Sequence, residues 1–337
     1  MFRKAIIAAA MLVAALAMPF VPPAAAQAQK ITLAPPGVPP IFGSIIAYVA
    51  KDQGFFKKYG ADVELRSFDN GTAASRAVLS GDLDASMSAT PLLIKQVANA
   101  GVPLVAIYGW PKPDFELGTT DATKANCAAL KGQQVGVDTP GGARSIALKS
   151  ILVGGCHLSM DDVQQVALGS NTASAMIAGQ IKYGILHLDD VPEIESHGKK
   201  VTIIKTLREA SPINHWLVIV ARKDTLVKKR EALVRMMAGI IAAAHYMADP
   251  KNADHVATIA QVTGRSHKIA LGALQAYLKF GLWAIDNNGL PKAQIDKFVA
   301  FQAKVGGIEK GKALPTYDQL VDASIWRDAN ALYQKSH

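Results

Sequence analysis

Residues 31–94 read ITLAPPGVPPIFGSIIAYVAKDQGFFKKYGADVELRSFDNGTAASRAVLSGDLDASMSATPLLI. Ile31 and Leu33 alternate as a short strand that stops at Pro35-Pro36-Gly37, where proline removes backbone donors and glycine permits a turn. Ile45, Ile46 and Val49 form the buried stripe of a helix, and Gly54 is placed to close it with a left-handed cap. Phe55 and Phe56 open a second helical turn that ends at Gly60. Val63 and Leu65 then alternate with Glu64 and Arg66, so the period changes from helix to half-buried strand. Asp69-Asn70-Gly71-Thr72 is the next loop, with Thr72 the expected N-cap of a helix through Ala77, Val78 and Leu79 to Gly81. A strand over 84–88 and a third loop at Ala89-Thr90-Pro91 follow. Each polar loop comes after the carboxyl end of a strand, the edge of an open parallel sheet where helix N-termini point free N–H groups and ligands bind.

The run Ala50-Lys51-Asp52-Gln53-Gly54-Phe55-Phe56-Lys57-Lys58-Tyr59-Gly60-Ala61-Asp62-Val63 resembles one family in its order and spacing. So do the later Ser80-Gly81-Asp82-Leu83-Asp84 and Leu130-Lys131-Gly132-Gln133-Gln134-Val135-Gly136-Val137. The family is the nitrate, taurine and alkanesulfonate class of ABC-importer substrate-binding proteins, and the resemblance covers nearly all of the chain after residue 26. It implies a type II periplasmic binding-protein fold, an α/β protein of two lobes that close on a small molecule by hinge motion. It also implies delivery to importer membrane subunits, docked through surface charges such as Lys57, Lys58 and Lys199.

The N-terminus places Arg3 and Lys4 before an apolar run from Ala5 to about Val21, then Ala24-Ala25-Ala26. That is the order of a secretory signal peptide cleaved after Ala26, which predicts a soluble periplasmic protein. No cysteine near the cut offers a lipid anchor, and Met236 to Ala244 is too short to span a bilayer. The formal charge is +9, lowered by two when Arg3 and Lys4 leave with the leader. Export argues against nucleic acid, and the scattered lysines read as a solvated basic surface. Cys127 and Cys156 are the only cysteines. In an exported chain they are expected to pair, constraining the unfolded state by roughly 3–4 kcal/mol for a loop of about 30 residues. Two cysteines alone do not make a zinc site, and neither a metal nor a cofactor is expected.

Downstream, 104–108 is a fourth strand, and Gly109-Trp110-Pro111-Lys112-Pro113 suits a crossover between lobes. The theme then repeats. Val135-Gly136-Val137 leads into Asp138-Thr139-Pro140-Gly141-Gly142-Ala143-Arg144-Ser145 and a helix, which is a glycine-rich loop at a helix N-terminus and a physical recipe for holding an anion or polar head group. Strands are expected over 163–168, 183–188, 201–204 and 216–221, with Gly169-Ser170-Asn171-Thr172 capping a helix over 173–178. Helices should occupy 233–247, 253–261, 266–280, 292–305 and 317–333. The expected organisation is a discontinuous lobe 1 (27–112 and 222–337), with lobe 2 (113–221) inserted and a helical C-terminal region.

Loop residues at strand ends are the binding candidates. Lobe 1 supplies Pro39, Phe42, Gly71, Thr72, Ser88 and Thr90. Lobe 2 supplies Asp138, Thr139, Gly142, Arg144, Ser170, Asn171, His187 and Asp189, and Asn214 and Trp216 sit at the return crossing. Hydroxyls, amides and backbone N–H groups suit an organic ion desolvated on closure. Arg144 beside a helix N-terminus favours a sulfonate, aromatic carboxylate or similar anion. A neutral or cationic pyrimidine instead fits the aromatic and acidic residues. Two other functions stay open. One is an enzyme of the same fold acting on a small heteroaromatic substrate, although no nucleophile elbow or metalloprotease helix is present and the cysteine-rich signature of the fungal pyrimidine-precursor synthase has no counterpart. The other is a binding protein that feeds a sensor. The protein is expected to be a monomer.

Overall fold

The computed structural model describes residues 29–336, so the expected leader at 1–26 lies outside the described residues. Apolar side chains at period two build the first sheet from β1 (Lys30–Ala34), β2 (Asp62–Leu65), β3 (Ala85–Ala89) and β4 (Leu104–Trp110). The second sheet contains β5 (Glu116–Thr119), β6 (Gln134–Val137), β7 (Gln164–Ala167), β8 (Tyr183–Leu186) and β9 (Thr202–Thr206). The chain then returns to the first sheet as β10 (Leu217–Arg222).

The spatial orders are β2-β1-β3-β10-β4 and β7-β6-β8-β5-β9. In each sheet the fourth strand runs antiparallel to both neighbours, and in each it is the first strand after the chain has crossed over. β10 pairs with β3 and β4, so the strand expected to carry the chain back lies wholly in the first sheet, directly after Asn214 and Trp216. The segment Glu116–Thr119, which was not expected as a strand, is the matching element of the second sheet.

Alternation decides which helix covers which face. Val105, Ile107, Leu217 and Ile219 share one core with Ile45, Ile46 and the helix Arg230–Ala248. Leu104, Ala106, Val218 and Val220 point the other way, onto Val78, Leu93 and Phe298. Both faces of the central strands are therefore buried. Tyr277, Trp216 and Phe115 carry the first of these cores across the seam between lobes. Cys127 and Cys156 are disulfide-bonded, with 5.3 Å between their Cα atoms.

Three local expectations change. The helix after Asn70 is capped by Asn70, whose side chain accepts from the Ala73 N–H at 2.9 Å; Thr72 instead lies in the first turn of Gly71–Ser80. No loop separates β3 from the helix Thr90–Ala100, because Pro91 in the first turn needs no backbone donor. The single helix expected over 317–333 is two, Tyr317–Leu320 and Ser324–Gln334. Val321 between them bridges to Ala106, and Asp322 donates its N–H to the Ala106 carbonyl. No helix among the described residues is long and apolar enough to cross a membrane.

Candidate functional site

The carboxyl ends of β1, β3, β6 and β8 face one another across the seam. Between them lies a cavity of about 50 Å3, room for a few water molecules or one compact guest. Gly71 and Thr72 enter it from the first lobe. Asp138, Arg144, Ser170 and His187 enter from the second, and Trp216 lies at the return crossing. Met87, Leu92 and Phe115 supply an apolar wall. Pro39, Phe42, Asn171 and Asp189 line an adjoining space of about 130 Å3, which shares Arg144, Ser170 and His187 with the first. The Asn171 side chain makes no capping bond to its helix, so its amide is available there.

The other sequence candidates have structural placements. Ser88 shares the Val218 side of the sheet and is fully buried, and its hydroxyl has no partner. Thr90 hydrogen-bonds Nδ1 of His215 at 2.8 Å. Asn214 is buried with both amide atoms unpaired, beside a small gap behind Trp216. Thr139 and Gly142 shape the loop under Asp138 and do not line the cavity.

That loop occupies its own anion position. The Asp138 carboxylate accepts from the Thr139 N–H at 2.8 Å, and the N–H groups of Ala143 and Ser145 also favour its charge. Gly142 makes this possible, since a Cβ there would stand 2.4 Å from Asp138 Oδ2. Burial nevertheless holds the Asp138 carboxyl above the ordinary carboxylate range. The helix N-terminus that the sequence offers to an anionic guest already holds a side-chain anion.

Arg144 is similarly engaged. Its Nη1 donates to the Ile185 carbonyl and, at 3.0 Å, to Asp190 Oδ2. Asp190 is shared with Arg265, and it also accepts the His187 N–H at 2.9 Å. Burial pushes the Asp190 carboxyl up, but Arg144, Arg265 and His187 together override it and hold it well below the ordinary range. Arg265 also donates to Asp189 at 2.9 Å. Tyr277 OH lies 2.6 Å from Asp114 and 2.8 Å from Asp189, and His187 Nδ1 is 3.0 Å from Asp114. Arg265 and Tyr277 belong to the C-terminal helical region, so these contacts cross between the lobes. Asp114, Asp190, Arg265 and Tyr277 escaped sequence reasoning. Asp190 adjoins Asp189, the one local signal; the others are joined only by folding.

The fold and the family are those expected. The chain is 26% identical over 232 residues to a Brucella abortus (strain 2308) protein provisionally named a binding protein, covering 67% of this chain and 69% of that one. A solved structure from Bordetella bronchiseptica RB50 superposes with a TM-score of 0.75 at 21% identity, covering 90% of this chain and 98% of that one. The periplasmic nitrate-binding protein NrtA from Synechocystis PCC 6803 superposes with a TM-score of 0.71 at 15% identity, over 90% and 89%. A family model described as NMT1/THI5 like matches residues 42–253, well over half of the chain, and the chain belongs to that family.

Proposed function

We propose that this protein is the solute-capturing component of an ABC importer: an exported, monomeric periplasmic protein that holds a small molecule between its lobes, performs no chemistry on it, and presents it to membrane subunits. The observation that carries this reading is the cavity at the carboxyl ends of the strands, bounded by loops that follow strands of both sheets. A ligand that touches both lobes gives closure a driving force, whereas one that touches a single lobe does not. In this reading the hinge is the pair of crossings between β4 and β5 and between β9 and β10. Lobe 1 runs to residue 112 and resumes with β10.

The charge pattern moves the ligand away from the anion that the sequence favoured. Arg144 is compensated by Asp190, the helix N-terminus by Asp138, and Asp69 also borders the cavity. A desolvated anion there meets carboxylates and no unpaired positive charge. A compact neutral or cationic molecule with N–H donors meets acceptors at Asp138 and an apolar wall at Phe115 and Trp216. The test is a thermal-shift panel of small amines, amidines and amino-heterocycles against nitrate, alkanesulfonates and aromatic carboxylates. A true ligand at 100 times its dissociation constant adds about 2.7 kcal/mol of stability. Stabilisation by the nitrogenous set alone supports this ligand class, and stabilisation by the anions alone overturns it. Turnover of any stabilising compound supports the enzyme alternative.

A further inference from the structure

Behind Trp216 the seam between the lobes opens again. A cavity of about 160 Å3, larger than the one in front, lies between the helix Thr90–Ala100 and the turn after Lys304 on one side and the helix Ala143–Ile151 on the other. A narrow gap of about 20 Å3 lies between the front and rear spaces and shares Trp216 with one and Gln302 with the other.

The rear cavity has the opposite electrostatic character. The charged residues lining it are Lys95 from the first lobe and Lys149 from the second, and no carboxylate borders it. Among the described residues, neither ammonium has an ion-pair or hydrogen-bond partner. Lys149 reaches across the seam, since a methyl group built on Gly306 would lie 3.5 Å from its Nζ. Gln302 supplies a third donor: it is 3% exposed, lines the cavity, and its buried Nε2 has no partner. A buried amide N–H without an acceptor costs about 1–3 kcal/mol. Lys95 is exposed and Lys149 half-buried, and the two cations line one cavity from opposite lobes, giving it a positive field that an anion would complement.

We infer that this rear pocket is a second binding site, for a small oxoanion of the phosphate or sulfate class. Lys95 and Lys149 bracket the anion from the two lobes, and a turn of the Gln302 amide brings its unpartnered Nε2 to one of the anion's oxygens. Each contact is a charge-assisted or amide hydrogen bond to an oxygen acceptor, chemistry that the front cavity does not offer to an anion.

Isothermal titration of the full mature protein with inorganic phosphate, and separately with inorganic sulfate, tests this at constant ionic strength. The expected result is saturable one-to-one binding of at least one anion. Lys149→Met and Lys95→Met should each weaken it about tenfold, Gln302→Leu several-fold, and the exposed-lysine control Lys131→Met not at all. Lys149→Arg, which keeps the charge, should restore binding to within a few-fold of wild type; it also separates lost recognition from lost folding. Binding of phosphate without sulfate, or the reverse, identifies which oxoanion the pocket prefers. A linear, unsaturable isotherm with both anions overturns the inference, and so does a Lys95→Met/Lys149→Met double variant that binds as wild type. Asp138→Asn distinguishes the two sites, because it should leave the phosphate or sulfate isotherm unchanged whether or not the ligand proposed for the front cavity is correct.

Discussion

Nε of Arg265 donates to Oδ2 of Asp189 at 2.9 Å, joining the C-terminal helical region of the first lobe to the loop after β8 in the second. The same guanidinium also reaches Asp190, and both carboxylates are buried. Removing one partner from a buried ion pair leaves an uncompensated charge and costs about 3–5 kcal/mol. Arg265→Met is therefore expected to lower unfolding stability by about 3 kcal/mol in urea titrations and to enlarge the radius of gyration in solution scattering as the lobes part. A loss below about 1 kcal/mol would mean that water already screens the pair.

His215, fully buried, and Glu116, half-buried, give opposite pH slopes. His215 is neutral in the fold: burial lowers its pKa to about 4, and a neutral ring accepts from Thr90 at Nδ1 and donates from Nε2 to the Gly289 carbonyl at 2.6 Å. Its folded pKa lies below the unfolded value of about 6.5, so its contribution is present above that pH and is lost as pH falls towards 4. Burial, aided by Asp114, raises Glu116 to about 7. Ionising it penalises the fold, so its contribution is fully present below about pH 4.5 and declines as pH rises through 7. Glu116→Gln is expected to raise stability at pH 8 relative to wild type and to steepen the loss of stability on acidification from pH 6.5. Equal curves for the two proteins between pH 4.5 and 8, by urea midpoint, would remove Glu116 from this account.

The edge of the Trp216 indole abuts a glycine. A Cβ on Gly43 would stand 2.4 Å from Trp216 Cη2, and the Gly43 carbonyl accepts the Trp283 indole N–H at 3.0 Å. Gly43→Ala forces the Trp216 indole towards the cavity, an overpacking change of about 1–3 kcal/mol. The expected outcome is a lower urea midpoint together with a changed near-ultraviolet circular dichroism band. An unchanged band would place the displacement elsewhere.

Asp138 and Thr72 approach the same space from opposite lobes. For whichever nitrogenous compound stabilises the protein, Asp138→Asn is expected to weaken binding at least tenfold, since a charge-assisted bond contributes about 1.5–3 kcal/mol. Thr72→Ala should weaken it about fivefold, and Asn171→Ala less, because Asn171 lines the adjoining space. Calorimetric titration measures all three. Unaltered affinity in both Asp138→Asn and Thr72→Ala would show that the ligand binds elsewhere.

Local chemistry made much of the fold legible. Alternation at Ile31/Leu33 and Val63/Leu65, the stripe Ile45-Ile46-Val49, and left-handed glycines such as Gly54 (φ +67°) and Gly81 (φ +90°) each report a period or a turn within a few residues. The same information placed Gly71, Thr72, Asp138, Arg144, Ser170, His187 and Trp216 at strand ends or crossings, and folding brings all seven to one cavity. It misjudged Thr72 as a cap because Asn70, two residues earlier, offers the better acceptor geometry. It also missed β5, whose Glu116-Leu117-Gly118-Thr119 carries little β signature and is strand only because β8 and β9 flank it.

The amino-acid order carried the two-lobed α/β architecture and the loops that face the seam, through periodicity and turn chemistry within short windows; the family came from a resemblance, and the pairing of Cys127 with Cys156 was an expectation for two cysteines in an exported chain that the fold then showed. Only the tertiary structure decided the charge of each site. Whether Arg144 is free or matched depends on Asp190, 46 residues away, and on Arg265, further still. Electrostatic pairing depends on distance in space, and that distance is set by how the lobes meet.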